Sequence, residues 1–198
     1  MDRLVLDPRS TALVLVDLQR GILARQTAPH AAAHVRSRAV RLADGLRETG
    51  GLVVLVRVAY AADGRDRLAL RVDAPPLGAA QVPADFAELP PELGPKAGDL
   101  VITKHQWGAF YGTELDLQLR RRSVRTLVLG GIATNFGVES TARDAYERGY
   151  EQVFVEDAMA GLSAEAHVFA VKNIFSRLGI VRSSEEVLAA IRTGRSWK

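Results

Sequence analysis

The stretch TALVLVDLQRGIL at residues 11–23 decides the fold of this chain. Its first six residues form a run dominated by apolar side chains, and the run stops at Asp17. Such a run is typical of a strand that is covered on both faces, as in a parallel sheet. A carboxylate at the end of that strand is partly withdrawn from water, which marks Asp17 as a candidate functional group.

The next residues repeat the pattern of a parallel α/β sheet. Helical spacing from His34 to Glu48 ends at two glycines, and a second apolar run, LVVLVRV, follows at 52–58. Further strands are predicted at 100–103, 126–132, 152–155 and 180–181, and helices at 114–122, 135–148, 163–177 (N-cap Ser163) and after Ser183 or Ser184. We therefore predict one domain over 1–198, a three-layer, doubly wound α/β fold with a six-stranded parallel sheet flanked by helices.

The segment 59–98 interrupts this alternation. It contains six of the eight prolines of the chain, including Pro75 and Pro76, and we expect little regular structure in it beyond one short helical turn. Long loops of this kind are often lids or binding loops. A wrap over the surface or an oligomer contact is an equal alternative.

Composition excludes several functions. The 198 residues include no cysteine, which rules out disulfides, thiolate metal sites and cysteine nucleophiles. A net charge of +3 gives no reason to expect a nucleic-acid partner, and the basic run at 120–122 is expected to be a solvated helix end. Neither a signal peptide nor an apolar run long enough to cross a membrane is recognisable, so we expect a cytoplasmic protein without a membrane partner.

The candidate chemistry lies where the predicted strands end, because open parallel sheets bind ligands at the carboxyl ends of their strands. Asp17 ends the first strand and Lys104 the third, so the two can form a buried pair. That pair is either a proton-transfer unit or a structural ion pair between strand ends. The glycine-rich turn at 130–137 offers backbone N–H groups for an oxyanion, or is simply a tight turn. It lacks the glycine spacing of nucleotide-binding loops.

The four histidines show no metal-binding spacing. We expect His105 to line the pocket or donate a hydrogen bond, and His167, on a helix, to be structural. His30 and His34 are expected to share a helix face without an obvious partner. A metal held by histidines and carboxylates at the strand ends is conceivable but less favoured.

Three phrases carry a resemblance to a known family: TALVLVDLQRGIL (11–23), ITKHQWGAFYGTELDLQLRRR (102–122) and GGIATNFGVESTARDAYERGY (130–150). In this order and spacing they are similar to the isochorismatase-like hydrolase superfamily over about residues 10–190, and within it to the YecD-like branch. The resemblance implies a six-stranded parallel sheet flanked by helices. It also implies a cis peptide bond between Ile132 and Ala133.

Most members of that family are amidases with an aspartate, a lysine and a cysteine in one pocket. The aspartate corresponds to Asp17 and the lysine to Lys104, whereas the cysteine position is Gly137 in this chain. Thr134, Ser140 and Thr141 do not occupy the nucleophile position. A covalent thiol route is therefore excluded.

True isochorismatases resemble this chain in having glycine at the cysteine position, although the phrase around Gly137 follows the amidases. Their aspartate acts as a general acid on a vinyl ether, and water completes the hydrolysis. The resemblance thus implies Asp17 as the general acid, with Lys104 and Gln19 placing a carboxylate and a water. The remaining candidates are an oxyanion or substrate-binding group, Ala133, Thr134, Asn135 and Gly137, and a pocket lining, His105, Trp107, Phe110 and Tyr111.

We therefore expect a hydrolase of a small polar or carboxylated molecule. The alternative is an inactive relative of the cysteine amidases that keeps a binding or scaffold role. The nicotinamidase branch holds a metal through histidines after its second strand, and residues 59–67 contain none, so no catalytic metal and no cofactor is expected. The family also implies a homo-oligomer.

Overall fold

A computed structural model describes residues 4–74 and 82–194 of the chain. Within these residues, six parallel strands form one sheet in the order β3-β2-β1-β4-β5-β6. The strands are β1 (Thr11–Val16), β2 (Leu52–Val58), β3 (Leu100–Lys104), β4 (Thr126–Ile132), β5 (Glu151–Ala160) and β6 (Ile180–Arg182). The predicted fold class is thereby confirmed.

Helices connect all neighbouring strands along the described chain except β2 and β3, and they cover both faces of the sheet. The α-helices are α1 (Arg20–Leu23), α2 (Ala32–Arg47), α3 (Leu115–Arg121), α4 (Glu139–Glu147), α5 (Ala164–Phe169), α6 (Ser176–Leu178) and α7 (Ser184–Gly194). Two π-helical segments, Thr134–Val138 and Ala170–Phe175, lead into α4 and α6. The second lies inside the predicted helix 163–177, and the first overlaps the start of the predicted helix 135–148.

Strand β1 explains why the first apolar run is decisive. All six of its residues are buried, and its side chains alternate between two hydrophobic clusters. Leu13 and Leu15 pack on the side of α2 and α7, and Val14 and Val16 pack on the side of α3 and α4. Apart from Thr11 at its start, this strand, which is covered on both faces, has no polar residue until it ends at Asp17.

The strand order creates a crevice at one edge of the sheet. β1 pairs with β2 on one side and with β4 on the other, with Val16 opposite both Val56 and Gly131. The chain thus moves outward in opposite directions from β1 and β4. This topological switch point is where open parallel sheets leave room for a ligand at the carboxyl ends of their strands.

Strand β5 is longer than the predicted 152–155. The charged pair Glu156 and Asp157 suggests a strand end in the sequence, yet the strand continues to Ala160. Its pairing with β4 shifts register between Leu129 and Gly131, which accommodates the two charged residues within the strand.

Two predicted helix starts are confirmed by their caps. The Ser163 side chain accepts a hydrogen bond from the Ala166 N–H at 3.3 Å, at the start of α5. Ser183 and Glu186 form a reciprocal capping box before α7, with the Ser183 N–H donating to Glu186 at 2.8 Å. The local sequence therefore fixes where both helices begin.

The segment 59–98 contains no helix or strand in its described part, and Pro75 and Pro76 lie outside the described residues. Hydrogen-bonded turns, such as that from Pro83 to Phe86, take the place of the predicted helical turn. The end of the segment docks onto α1, where the Arg20 N–H donates to the Glu88 carbonyl at 2.8 Å. This part of the segment therefore covers the carboxyl end of β1.

No helix within residues 4–74 and 82–194 has the length and apolar character needed to cross a membrane.

Candidate active site

Asp17 lies at the switch point, directly after β1. Its backbone adopts a left-handed conformation (φ 56°), which aspartate tolerates better than most residues, and its N–H donates to the Val56 carbonyl at 2.9 Å. The residue is only 6% exposed. The sharp change of direction after an apolar strand thus holds a carboxylate inside the protein.

Lys104 reaches Asp17 from two strands away. Neighbouring strands lie about 4.8 Å apart, so the lysine side chain crosses β2 to reach the end of β1. Its Nζ donates to Asp17 Oδ2 at 2.8 Å and to the Gln106 carbonyl at 2.9 Å, and the residue is 1% exposed. The structure therefore brings together the two residues that the sequence pairs.

The two oxygens of the Asp17 carboxylate have different surroundings. Oδ2 accepts from Lys104, whereas Oδ1 is buried and has no hydrogen-bond partner among the described residues. Burial raises the pKa of Asp17 to about 6, and the charge and hydrogen bond of Lys104 offset only part of that effect. Asp17 is thus a carboxyl group that changes protonation state near neutral pH.

Gly137 faces this carboxylate. A Cβ on Gly137 would lie 3.1 Å from Asp17 Oδ2 and 3.1 Å from Val16 Cγ1, closer than side-chain carbons normally approach such atoms. Gly137, to which the resemblance assigns the position of the nucleophile, therefore lies next to Asp17.

The turn that carries Gly137 starts from the predicted cis peptide bond, which is present between Ile132 and Ala133. It continues as the π-helical segment Thr134–Val138, in which the Val138 N–H donates to the Ala133 carbonyl at 3.2 Å. π-helical turns occur frequently at functional sites. The Phe136 N–H also donates to the Ala133 carbonyl, at 3.1 Å, so an oxyanion-binding role requires the other N–H groups of this first turn.

Thr134 and Asn135 are buried in this turn in different ways. The Thr134 hydroxyl lies 2.8 Å from His167 Nδ1, so its hydrogen bond is directed toward α5. Asn135 Oδ1 is buried without a hydrogen-bond partner in the described part of the chain. Their predicted contact with substrate stays a prediction.

Gln19 is held by backbone groups on all sides. Its Nε2 donates to the carbonyls of Val58 (2.9 Å) and Phe86 (3.0 Å), and its Oε1 accepts from the Val58 N–H (2.8 Å). Both of its N–H donors are therefore engaged. These contacts favour a role in fastening the 59–98 segment to β2 over the predicted role in placing a water.

The predicted pocket lining divides into three environments. Phe110 is a core residue, 4% exposed and stacked on Tyr150, so it does not line an open pocket. Trp107 is exposed and packs edge-on against Phe136, and Tyr111 is exposed as well. His105 bonds the Ala59 carbonyl through Nδ1 at 2.7 Å, which confirms the expected hydrogen-bonding role. The sequence pattern of this loop does not reveal which aromatic ring faces the core.

Thr141 is not available as a substitute nucleophile. Its buried hydroxyl donates to the Gly137 carbonyl at 2.7 Å and accepts from the Ala109 N–H at 3.1 Å. It stabilises the turn that holds Gly137 instead.

Tyr60 is a residue near the site that the sequence reasoning missed. Burial raises its pKa, and the negative charge of Asp17 raises it further, whereas Arg67 over its ring lowers it. Because Tyr60 follows β2 by two residues, the strand-end rule that selected Asp17 and Lys104 could also have selected it.

The structure also brings together His30, Glu156 and His167, whose nitrogen and oxygen atoms lie within 4.8 Å of one another. The expected shared helix face of His30 and His34 is wrong, because α2 begins at Ala32 and His30 precedes it. His30 instead bonds Glu156, which lies 126 positions away in the sequence, so local spacing could not show the cluster.

The fold agrees with comparisons to known proteins. The family model of the isochorismatase domain matches residues 11–186. The chain belongs to the isochorismatase family. The isochorismatase family protein YecD of Escherichia coli O157:H7 is 48% identical over 188 residues, covering 95% of this chain and 100% of YecD. YwoC of Bacillus subtilis (strain 168) is 46% identical over 193 residues, covering 97% of this chain and 100% of YwoC.

Solved structures of the isochorismatase family support the same assignment. An isochorismatase family protein from Burkholderia thailandensis superposes with a TM-score of 0.91 at 42% identity, covering 97% of this chain and 100% of that chain. N-carbamoylsarcosine amidase from Thermoplasma acidophilum superposes with a TM-score of 0.71 at 29% identity, covering 89% and 97%. The protein is thus an isochorismatase-family hydrolase.

Proposed function

We propose that this isochorismatase-family protein hydrolyses a small carboxylated vinyl ether of the isochorismate type, with Asp17 as general acid and without a covalent intermediate. The observation that carries the proposal is the Asp17 carboxyl group beside Gly137: Oδ2 faces that position, and Oδ1 is buried without a hydrogen-bond partner among the described residues. A nucleophile is missing where an amidase needs one, and the carboxyl group next to that position has one oxygen that can carry a proton.

The Asp17 environment suits proton donation. A carboxyl group with a pKa of about 6 is protonated in a useful fraction of molecules near neutral pH. Lys104 binds the other oxygen, so the proton is expected on Oδ1. After the transfer, the ammonium of Lys104 stabilises the carboxylate that remains.

The proposed reaction has two stages. Asp17 Oδ1 gives its proton to the terminal methylene carbon of the enol ether, and the π electrons form the new C–H bond, which leaves an oxocarbenium ion. Water then adds to that carbon and returns a proton to Asp17. In the resulting hemiketal, the C–O bond to the ether oxygen breaks and the hydroxyl proton of the hemiketal passes to that oxygen. The alcohol leaves, and pyruvate remains.

The hydrogen-bond donors at the site, as well as the proposed reaction, favour a substrate that carries a carboxylate. Lys104 and the N–H groups of the turn after Ala133 are donors at the site, and a small carboxylate is a suitable acceptor. The predicted contacts of Ala133, Thr134, Asn135 and Gly137 with substrate belong to this proposal.

The experiment measures pyruvate release from isochorismate, with the reaction repeated in D2O. We expect one solvent deuteron in the methyl group of each pyruvate, because the proton comes from an exchangeable carboxyl group. We also expect kcat/KM to be level below about pH 6 and to fall about tenfold per pH unit above it, since the acid form of Asp17 is required.

Asp17→Asn is the decisive variant, and Asp7→Asn, the same change at a partly exposed residue before the start of β1, is its matched control. Asn keeps the volume and still accepts from Lys104 but cannot donate a carboxyl proton, so we expect at least a 100-fold loss of kcat/KM. Turnover that survives Asp17→Asn, or pyruvate without solvent deuterium, would overturn the mechanism. Absence of turnover on isochorismate would overturn the substrate assignment.

A panel of ureido compounds, including ureidoacrylate and N-carbamoylsarcosine, separates the proposal from two alternatives. A ureidoacrylate amidohydrolase from Methylorubrum extorquens is 52% identical over 66 residues, which cover 33% of this chain and 27% of that relative. Turnover of the ureido compounds alone would indicate a thiol-independent amidase. Turnover of nothing in a broad panel would indicate an inactive binding protein.

Two further expectations remain proposals. We propose that the protein is cytoplasmic and forms a homo-oligomer, with exposed Trp107 and Tyr111 as candidate contacts. The solution mass measures the assembly.

A further inference from the structure

A cluster of three side chains of metal-ligating types lies beside the middle of β5, apart from the Asp17–Lys104 pair. Glu156 Oε1 is 2.8 Å from His30 Nε2 and 3.1 Å from His167 Nε2. The three residues come from different parts of the fold: the loop before α2, the middle of β5, and α5. The mechanism proposed for Asp17 uses none of them.

We propose that His30, Glu156 and His167 form a binding site for one divalent transition-metal ion, with Zn²⁺ as the best match. Two imidazoles and one carboxylate are a donor set that binds such ions in tetrahedral sites. The proposal is independent of the proposed function, and it assigns the ion no part in catalysis.

The distances suit an ion of this size. Zn–N and Zn–O bonds of about 2.0–2.1 Å in a tetrahedron place the ligand atoms roughly 3.3–3.4 Å apart. The two distances to Glu156 Oε1, 2.8 and 3.1 Å, are a few tenths of an ångström shorter. A small outward rotation of His30 and Glu156 therefore makes room for the ion.

The burial of the three side chains gives the site a closed side and an open side. The His167 side chain is 1% exposed, whereas those of His30 and Glu156 are 26% and 37% exposed. His167 is thus fixed within the fold, and the other two ligands reach solvent. The open side supplies an entry path and a fourth position for water.

The second ring nitrogen of His167 is already held. His167 Nδ1 lies 2.8 Å from the Thr134 hydroxyl in the turn after the cis peptide bond. Metal-bound histidines usually have their other ring nitrogen fixed by such a partner, which sets the ring orientation.

Metal binding would reverse one hydrogen bond. Without an ion, a neutral His167 donates from Nε2 to Glu156, so its Nδ1 accepts from the Thr134 hydroxyl. With an ion on Nε2, the ring proton is on Nδ1, and Thr134 becomes the acceptor. The ion therefore determines where the Thr134 proton points.

The test uses tag-free full-length protein treated with a chelator and titrated with Zn²⁺ alone. We expect saturation at one Zn²⁺ per chain, measured by calorimetry and by competition with a chromophoric chelator. His30→Ala and Glu156→Gln should each weaken binding at least tenfold. Thr134→Val should weaken it less, by removing only the partner of His167.

Two histidine variants serve as matched controls. His34 stacks on His30 with ring centroids 5.4 Å apart but is not one of the three ligands, and His105 lies elsewhere at the sheet edge. His34→Ala and His105→Ala should therefore bind Zn²⁺ within about twofold of the parent protein. A melting curve of each metal-free variant verifies that it is folded.

Three outcomes would overturn the site. The first is no saturable binding at one ion per chain. The second is binding that survives both His30→Ala and Glu156→Gln in folded protein. The third is loss of binding in His34→Ala equal to the loss in His30→Ala. Tetrahedral absorption of the Co²⁺-loaded protein, lost in His30→Ala, would support the ligand set by a second readout.

Discussion

At the scale of single residues, the site depends on how closely Gly137 approaches Asp17. A Cβ at position 137 would lie 3.1 Å from Asp17 Oδ2, and Asp17 is itself held by Lys104 at 2.8 Å. The carboxylate therefore has little freedom to move away. A Cβ at this position requires Asp17 or Val16 to shift by a few tenths of an ångström.

We predict that Gly137→Ala lowers kcat at least tenfold and reduces the free energy of unfolding by about 1–3 kcal/mol, the usual cost of overpacking. Gly108→Ala is the matched control, because a Cβ there meets its nearest atoms at 3.7 Å, an ordinary contact. Steady-state kinetics and urea unfolding measure both variants. Parent-like kcat in Gly137→Ala would show that the space beside Asp17 is not needed.

The sequence predicts these residues unevenly, for a physical reason. Strand ends can be located from apolar runs, and parallel strands end at one edge, so the meeting of Asp17 and Lys104 could be predicted. Whether Phe110 faces the core or the pocket depends on the course of a loop that has no periodicity. The partners of Gln19 and His30 lie 39 and 126 positions away, beyond any local pattern.

At the scale of elements, the short helix α1 is fastened to the 59–98 segment. The Gly21 N–H donates to the Phe86 carbonyl at 3.1 Å, and the Phe86 ring packs directly on the Gly21 backbone. The absence of a side chain at Gly21 is what permits this contact.

We predict that Gly21→Ala detaches residues 85–88 from α1, because the added methyl group overlaps the Phe86 ring. Hydrogen exchange of the Arg20 and Gly21 amides, which donate to this segment, should become at least tenfold faster. Gly108→Ala again serves as the control. Unchanged exchange at these amides would mean that Phe86 adapts without undocking.

Strand β5 shows why charge can mislead the prediction of an element. The charged pair Glu156 and Asp157 predicts a strand end. In the structure, however, the carboxylates of both residues have hydrogen-bond partners from other parts of the fold. Glu156 contacts two histidines, and Asp157 accepts from the Ser184 N–H and hydroxyl at 2.7 and 2.6 Å. Tertiary partners therefore allow the strand to continue where local propensity favours a turn.

At the scale of the whole molecule, Asp17 connects the site to folding stability. Its pKa is about 6 in the folded protein, against 3.8 for an aspartate side chain in water, so the folded state binds this proton more tightly than the unfolded state. The contribution of Asp17 to stability is thus complete below about pH 4 and is lost as the pH rises through about 6.

We predict that the parent protein loses stability relative to Asp17→Asn between about pH 4 and pH 6.5, by roughly 2–3 kcal/mol. Urea unfolding of both proteins across this range measures the difference between their free energies of unfolding. Carboxylates in salt bridges make both proteins more stable as the pH rises, and subtracting one curve from the other removes this shared contribution. Parallel stability curves would show that burial does not raise the pKa of Asp17.

The central position of β1 also has a consequence for the chain during synthesis. β1 pairs with β4 from Thr11 opposite Thr126 to Val16 opposite Gly131, so one neighbour of this apolar strand is made more than 110 residues later. Until then, the nascent chain carries an unpaired apolar edge, the kind of surface that aggregates or recruits chaperones. Translation speed and chaperone supply should therefore affect the yield of this protein, as does the final stability of its fold.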